Sequence, residues 1–493
     1  MSQRAFLFLV FLGGSIVGHS QLDRTHIQGA ASPYALSSDY RALGYNPGLL
    51  SFSGWGGDYV KTSGGFEGGL TLRSQLMDRT SMWDQVLGRT PEEESSWTAE
   101  EWLGALTDEE LTFNLSFLTA AYARRFGKWA VAYANRRGVS GQVTLSSKTA
   151  KLFTDGGLDL YSEIQLVESG ETVAVEDFDF SLGTAWSGVT VDANATLANL
   201  LKGTSLSFQS MRTHEIGVSR GWGDVGNGWS LHTGVGARLL LGNAYFDVRT
   251  EGDDVVAFGA RSDGFSFASL QNADSLRGTG PSAAWASVLS PSGHGWGVDA
   301  GIVLARADGL WLTASLVDIG KMTWNGQMYS VNDIDLDLST FGSSDAAIDP
   351  DSWLSGALDV LDPDTWFQES EEATRVVSNR PMLSLGAGMR PAPPLVVAAN
   401  MTLRNREALS NGGWSGGIST GIRITNAWIL EGGIQKQSDD VFRFPASTRI
   451  SLENGWEVGF RLGDVSALWE GSQPELGMQM CFLRYRLSAR EEL

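Results

Sequence analysis

Cysteine is almost missing from this 493-residue chain: Cys481 stands alone, which excludes an intramolecular disulfide and leaves no thiol near the N-terminus to take a lipid anchor. An excess of basic residues is missing too. Against 57 Asp and Glu there are 36 Lys and Arg, a formal charge of -21, which argues against nucleic acid and against a polybasic membrane anchor. That charge either attracts cations or keeps long exposed loops solvated. Proline is scarce at 13 residues while glycine reaches 60 and tryptophan 18, so the composition is neither disordered nor collagen-like. There is no Cys/His metal cluster, no phosphate loop opening a helix and no basic patch interleaved with aromatics. His232 lies on the polar face of an alternating stretch with serines nearby, yet no nucleophile elbow or triad spacing accompanies it. The sequence therefore predicts no enzyme and no cofactor.

Long apolar runs are also absent. The first residues, Arg4 followed by Ala5 to Leu12 and the small residues Gly18 and Ser20, read as a signal peptide over 1–20 with cleavage before Gln21. Its core is shorter than the roughly 20 residues a spanning helix needs, and no later run reaches that length. An exported chain without spanning helices is either secreted or a barrel.

What the sequence does have is alternation. From Gly295 to Gly320, Trp296, Val298, Ala300, Ile302 and Leu304 share one face, and Gly297, Asp299, Gly301 and Ala305 share the other. Asp308-Gly309 supplies a turn, and Leu310, Leu312, Ala314 and Leu316 resume the apolar face. Lipid outside and a wet lumen inside give this pattern, as does one sheet of a soluble sandwich. The theme recurs from Phe66 to Leu72, in the pair Thr112 to Tyr122 and Trp129 to Arg137 around Gly127-Lys128, and repeatedly after His214. Counting clear and weak cases gives about 14 strands, each near the roughly 10 residues of a tilted membrane strand. Six Gly-Trp pairs, several opening a strand, place indoles where an aromatic girdle would sit. A mean hydropathy of -0.10 suits a barrel, in which only every second strand residue meets lipid.

Three acidic insertions near 84–110, 143–209 and 339–379 interrupt the pattern and read as short helices in long loops or plug. They include the Thr98–Glu101 capping box, helices at Ser146 to Thr154 and Asp192 to Leu201, and an Asp-Pro-Asp-x-Trp echo at Asp349 and Asp362. Asp333, Asp335 and Asp337 alternate with apolar residues, giving either a lumenal cation-attracting site or a solvated loop; they are too few for calcium. A three-residue loop Thr425-Asn426-Ala427 sets Arg423 near Glu431 on an inner face, and Glu457 and Arg461 also point inward, a charged wall suited to cross-strand pairing.

Between Gln21 and Ser53 alternation is weak, and Ala42-Leu43-Gly44-Tyr45-Asn46-Pro47-Gly48 stands out. Pro47 fixes its own φ and pushes Asn46 toward an extended or turn conformation, so the stretch is a bend. It resembles the Asn-Pro-Ala element near the mature N-terminus of outer-membrane barrels of the fatty-acid-transporter type and their Bacteroidota relatives, in particular an uncharacterised Bacteroidota family with an Ala-Leu-Gly-x-Asn-Pro start. Gly48 replaces the usual alanine, and the chain runs on past its last strand as a tail over 488–493, with Phe482 and Tyr485 standing in for a terminal aromatic. The resemblance implies an all-β transmembrane antiparallel barrel over 54–487, with a hatch over 21–53 in which Gly44, Asn46 and Pro47 are the hatch or ligand candidates. It further implies a porin-like channel or carrier for small hydrophobic molecules in a Gram-negative outer membrane, in contact with lipid and lipopolysaccharide. The alternative is a barrel that docks partner proteins for secretion or surface assembly through its acidic loops.

Overall fold

The computed structural model describes residues 30–54, 59–73, 111–146, 161–166, 171–174, 186–191, 201–251, 254–262, 290–331, 367–379, 381–404, 413–438, 442–468 and 475–487. The signal segment, the insertion over 84–110, Asp333, Asp335, Asp337, both Asp-Pro-Asp motifs and the 488–493 tail lie outside them.

Strands dominate. In chain order they are β1 (Lys61–Arg73), β2 (Leu111–Phe126), β3 (Trp129–Thr144), β4 (Tyr161–Leu166), β5 (Thr172–Ala174), β6 (Trp186–Val191), β7 (Ser205–Gly226), β8 (Trp229–Glu251), β9 (Asp254–Arg261) and β10 (Gly293–Arg306). There follow β11 (Leu310–Val331), β12 (Phe367–Ser378), β13 (Met382–Ala392), β14 (Leu395–Arg404), β15 (Trp414–Arg423), β16 (Trp428–Gln437), β17 (Phe442–Arg443), β18 (Ala446–Ser451), β19 (Trp456–Leu462) and β20 (Glu475–Leu487). Each main strand pairs antiparallel with the next along the chain, and β20 returns to β1, closing a 14-strand barrel. Closure leaves none of the 14 main strands as a sheet edge among the described residues.

One end of the barrel has only short turns. Phe126 pairs with Trp129 around Gly127, whose φ is +59°, and Gly309 at φ +92° closes the β10–β11 hairpin; both are left-handed conformations that favour glycine. The loop Thr425-Asn426-Ala427 is three residues long, closed by a 2.9 Å bond from the Ile424 amide to the Trp428 carbonyl. All longer connections leave the opposite end. There the wall grows past the length of the other staves: β7, β8 and β11 run for 22, 23 and 22 residues. β9 fits between β8 and β11 beyond the start of β10, and β12 lies on β11 beyond β13.

Two of the helical insertions need correction. In 143–209, β4, β5 and β6 make a small separate antiparallel sheet, and Ser205 to Gln209 already belong to β7. The expected helices at Ser146 to Thr154 and Asp192 to Leu201 lie outside the described residues except for Ser146 and for Leu201, which is helical and is followed by a turn at Gly203. Pieces such as Trp186–Val191, rich in β-branched residues, are too short to show a period but favour a pleated surface. Likewise the end of 339–379 is β12; its glutamates suit a helix, but pairing with β11 over Lys321 to Val331 overrides that propensity.

Outward positions are apolar, among them Ile216, Val235, Leu239, Val298, Ile302, Leu312, Leu383, Ile418, Ile434 and Ile450, all exposed. Inward positions are small or polar, and β10 alternates strictly from buried Gly293 to exposed Arg306. An apolar exterior around a closed hydrogen-bonded wall is the pattern of a membrane-spanning barrel.

Candidate functional site

Residues 30–54 lie inside the barrel, at the short-turn end. They form a single helical turn α1 (Pro33–Leu36) and two 3-10 turns, Asp39–Ala42 and Pro47–Leu50, and nearly all of them are buried. The reason they fit is glycine. A Cβ added at Gly64 would strike the Tyr40 ring, at Gly217 Leu43, at Gly234 the Pro47 carbonyl, at Gly301 Asn46, and at Gly417 and Gly433 Ala31. The inner faces that read as wet are in large part the floor on which this segment rests.

The Asn-Pro bend is one of its anchors. Gly44 has φ +72°, which a residue with a Cβ resists. Asn46 caps the following turn, its Oδ1 accepting from the Gly48 amide at 2.9 Å, while its Nδ2 donates to the carbonyls of Ile302 and Ala314, each at 3.3 Å. Side chain thus meets sheet backbone, a contact that only Gly301 beneath it allows. Pro47 takes the first helical position, where its missing N–H costs nothing. Gly48 stands where an added Cβ would lie 3.0 Å from the Gly301 carbonyl oxygen, which accounts for its departure from alanine.

A buried ionic cluster is the other anchor. Arg41 reaches Glu67 of β1 at 2.9 Å and Glu457 of β19 at 3.3 Å; Arg484 of β20 pairs with Asp39 and with Glu457. The Tyr40 hydroxyl donates to Glu67, and Arg41 also donates to the Cys481 sulfur at 3.4 Å. Every one of these groups is buried. Burial, followed by the charge of Glu67, holds the Tyr40 hydroxyl well above its ordinary pKa. The same cluster extends to Glu431, which receives Arg449 of β18 at 3.1 Å and the Ala30 amide at 3.2 Å.

Of the charges expected on the inner wall, Glu431, Glu457 and Arg461 come together here. Arg461 donates to Gln479 at 3.3 Å and to the Ala30 carbonyl at 2.8 Å. Arg423 faces inward and stands opposite Ile429 in the register, and Glu431 pairs with Arg449 on the other neighbouring strand. Asp39, Arg41, Glu67, Arg449 and Arg484 were not singled out from the sequence. The run Leu483-Arg484-Tyr485-Arg486-Leu487 carries the signal, since its basic residues alternate with bulky ones on a strand. His232 joins in differently: its Nδ1 lies 3.1 Å from the Ser51 hydroxyl, which is 2.7 Å from that of Ser219, and Phe52 packs edge-on to the imidazole ring. These contacts tie the inner segment to the wall. The β20 aromatic Tyr485 packs against Trp456.

Further from the short turns the inner wall changes character. Met211, Leu240, Tyr245, Phe258, Met322 and Trp324 form a buried apolar cluster. It lies on the lumen side, because a Cβ at Gly242 or Gly293, on the inward faces of β8 and β10, would strike the Trp324 ring. Tyr245 stacks on Trp324 with centroids 5.0 Å apart, and Arg375 of β12 lies over both Tyr245 and Phe258 while pairing with Asp247. Between this patch and the inner segment, Arg238 bridges Asp299 and Asp318.

Among solved structures the chain is similar to the TodX deltaS2S3 mutant monoaromatic hydrocarbon channel, with a TM-score of 0.46 and 10% identity over 93% of this chain and 97% of that one. It is similar to the Ralstonia pickettii toluene transporter TbuX, with a TM-score of 0.42 and 11% identity over 93% and 95% of the two chains. A Pseudomonas aeruginosa FadL homologue gives 0.40 and 11% over 97% and 99%. Comparison with curated protein sequences returns no match. Residues 182–462, more than half of the chain, match the family of unknown function DUF5723, and the protein belongs to that family.

Proposed function

We propose that this protein is a Gram-negative outer-membrane barrel that passively carries small hydrophobic molecules, with residues 30–54 as a hatch across its short-turn end. The observation that carries the reading is the inward patch of Tyr245, Phe258, Met322 and Trp324. A lumen filled only by water has no use for such a surface, whereas an apolar passenger entering from the long-loop end is drawn to it. Below the patch the way is closed by a segment held through polar and ionic contacts, so passage requires that segment to shift. Arg423, Glu431, Glu457 and Arg461 act in this reading as clamps rather than as a selectivity filter. Outward Trp129, Trp222, Trp428 and Trp456 toward the short turns, with Trp296 and Trp414 toward the long loops, fit an aromatic girdle.

The test is binding of a fluorescent apolar probe to the detergent-purified protein. Trp324→Ala and Tyr245→Ala weaken binding several-fold, while Trp296→Ala, which alters an outward indole, leaves it unchanged. Equal affinity in all three variants refutes the carrier reading.

A further inference from the structure

At two places on the outer wall, basic residues oppose each other directly across strands. Lys61 faces Arg124 between β1 and β2, and Arg137 faces Arg212 between β3 and β7. Like charges in that position destabilise a sheet. Arg137 is exposed and Arg212 half-buried, and among the described residues neither has an acidic partner. Arg212 is steadied by donating from Nε to Asn135 Oδ1 at 3.2 Å, and beside it the Tyr133 hydroxyl lies 2.9 Å from His214 Nδ1. The pair faces lipid rather than lumen, since it shares its face with exposed Tyr133 and Ile216, and Arg137 stands opposite exposed Phe117.

Its height on the wall is informative. Trp129 opens β3 at the short-turn end and Arg137 lies eight residues further along. At about 3.3 Å per residue and a tilt near 40°, that is roughly 20 Å along the membrane normal, close to the far edge of an apolar band about 25 Å tall. Exposed Lys321, opposite Trp296, adds a third outward cation on the long-loop side. Short turns face the periplasm in such barrels and long loops face outward, so the Arg137–Arg212 pair sits at the headgroups of the outer leaflet.

We propose that Arg137 and Arg212 bind a phosphate group of an outer-leaflet glycolipid, the phosphate-bearing headgroup of lipopolysaccharide. Two guanidinium groups on neighbouring strands offer paired N–H donors to one phosphate, and the phosphate relieves the repulsion between them. A chain of net charge -21 repels anions in general, so this attraction is local to the pair.

The experiment titrates the full-length protein in detergent with diphosphorylated lipid A, with dephosphorylated lipid A and with inorganic phosphate, read by native mass spectrometry. Native protein binds the diphosphorylated form, and the variant Arg137→Gln/Arg212→Gln binds it about tenfold more weakly or worse. Lys61→Gln/Arg124→Gln, the same charge loss at the other edge, keeps native affinity. Equal binding by native protein and the Arg137/Arg212 variant, or equal losses in both double variants, overturns the proposal. Inorganic phosphate binding as tightly as lipid A overturns the lipid assignment. Heat-modifiable migration reports folding; if the double variant misfolds, Arg137→Gln alone is read, and an unchanged affinity there overturns the proposal as well.

Discussion

Gly301→Val separates the inner segment from the barrel that holds it. Gly301 has ordinary extended backbone, so valine suits the strand, but its Cβ falls within 3 Å of the Asn46 side chain and at 3.0 Å from Pro47 Cδ. Overpacking of this kind costs about 1–3 kcal/mol. Displacing Asn46 also removes its two bonds to the Ile302 and Ala314 carbonyls, at about 0.5–1.5 kcal/mol each. Together these come to about 2–6 kcal/mol against the docked segment, a shift of roughly 30- to 25,000-fold in its docking equilibrium. The readout is maleimide labelling of Ala42→Cys, a fully buried position in a protein whose native Cys481 is itself buried. Labelling is slow in the native background, fast with Gly301→Val, and slow again with Gly432→Val, where an added Cβ meets open space. Equal labelling of the Gly301→Val and native backgrounds, with the barrel still heat-modifiable, refutes the account of how the segment is held.

Arg484→Met leaves Asp39 without its buried ion-pair partner and Glu457 with Arg41 at 3.3 Å and the more distant Arg449, and it lowers stability by about 3–5 kcal/mol, visible as a lower thermal midpoint in detergent. Asn46→Ala removes a cap and two wall contacts and speeds Ala42→Cys labelling by roughly tenfold. Burial pushes the Tyr59 hydroxyl up to about 12 and Tyr40 well above its usual value. A raised folded pKa means that docking is at full strength below about pH 10 and weakens as pH rises through the folded values. Tyrosinate absorbance therefore shows Tyr40 and Tyr59 titrating late in the native protein and earlier in Gly301→Val; identical titration curves contradict this.

The barrel was legible because its signal is periodic. Trp296, Val298, Ile302 and Leu304 on one face of β10 and glycines on the other fix both strand and facing, and the turns at Gly127-Lys128 and Asp308-Gly309 fall where their φ values require. The ionic cluster was legible only in part, because Glu431 and Glu457 announce an inward charge but not which of two neighbouring strands supplies its partner. The apolar lumen patch was invisible for a definite reason. Asp318, at φ +66°, sits in a bulge of β11, so that Leu312 and Leu316 point outward while Met322 and Trp324, also at even positions, point inward. Parity is lost across one residue, and no periodicity records where. Similarly, sequence assigns Gly217, Gly234 and Gly301 to a small-residue face, but only the fold reveals that Leu43, Pro47 and Asn46 rest on them.

The most direct measurement is mass spectrometry of the small molecules that remain with the protein when it is purified from outer membranes in mild detergent. A stoichiometric apolar compound, depleted in Trp324→Asp and retained in Trp296→Ala, is the result this account predicts. An empty lumen alongside a stoichiometric partner protein would contradict it and make the barrel a docking platform.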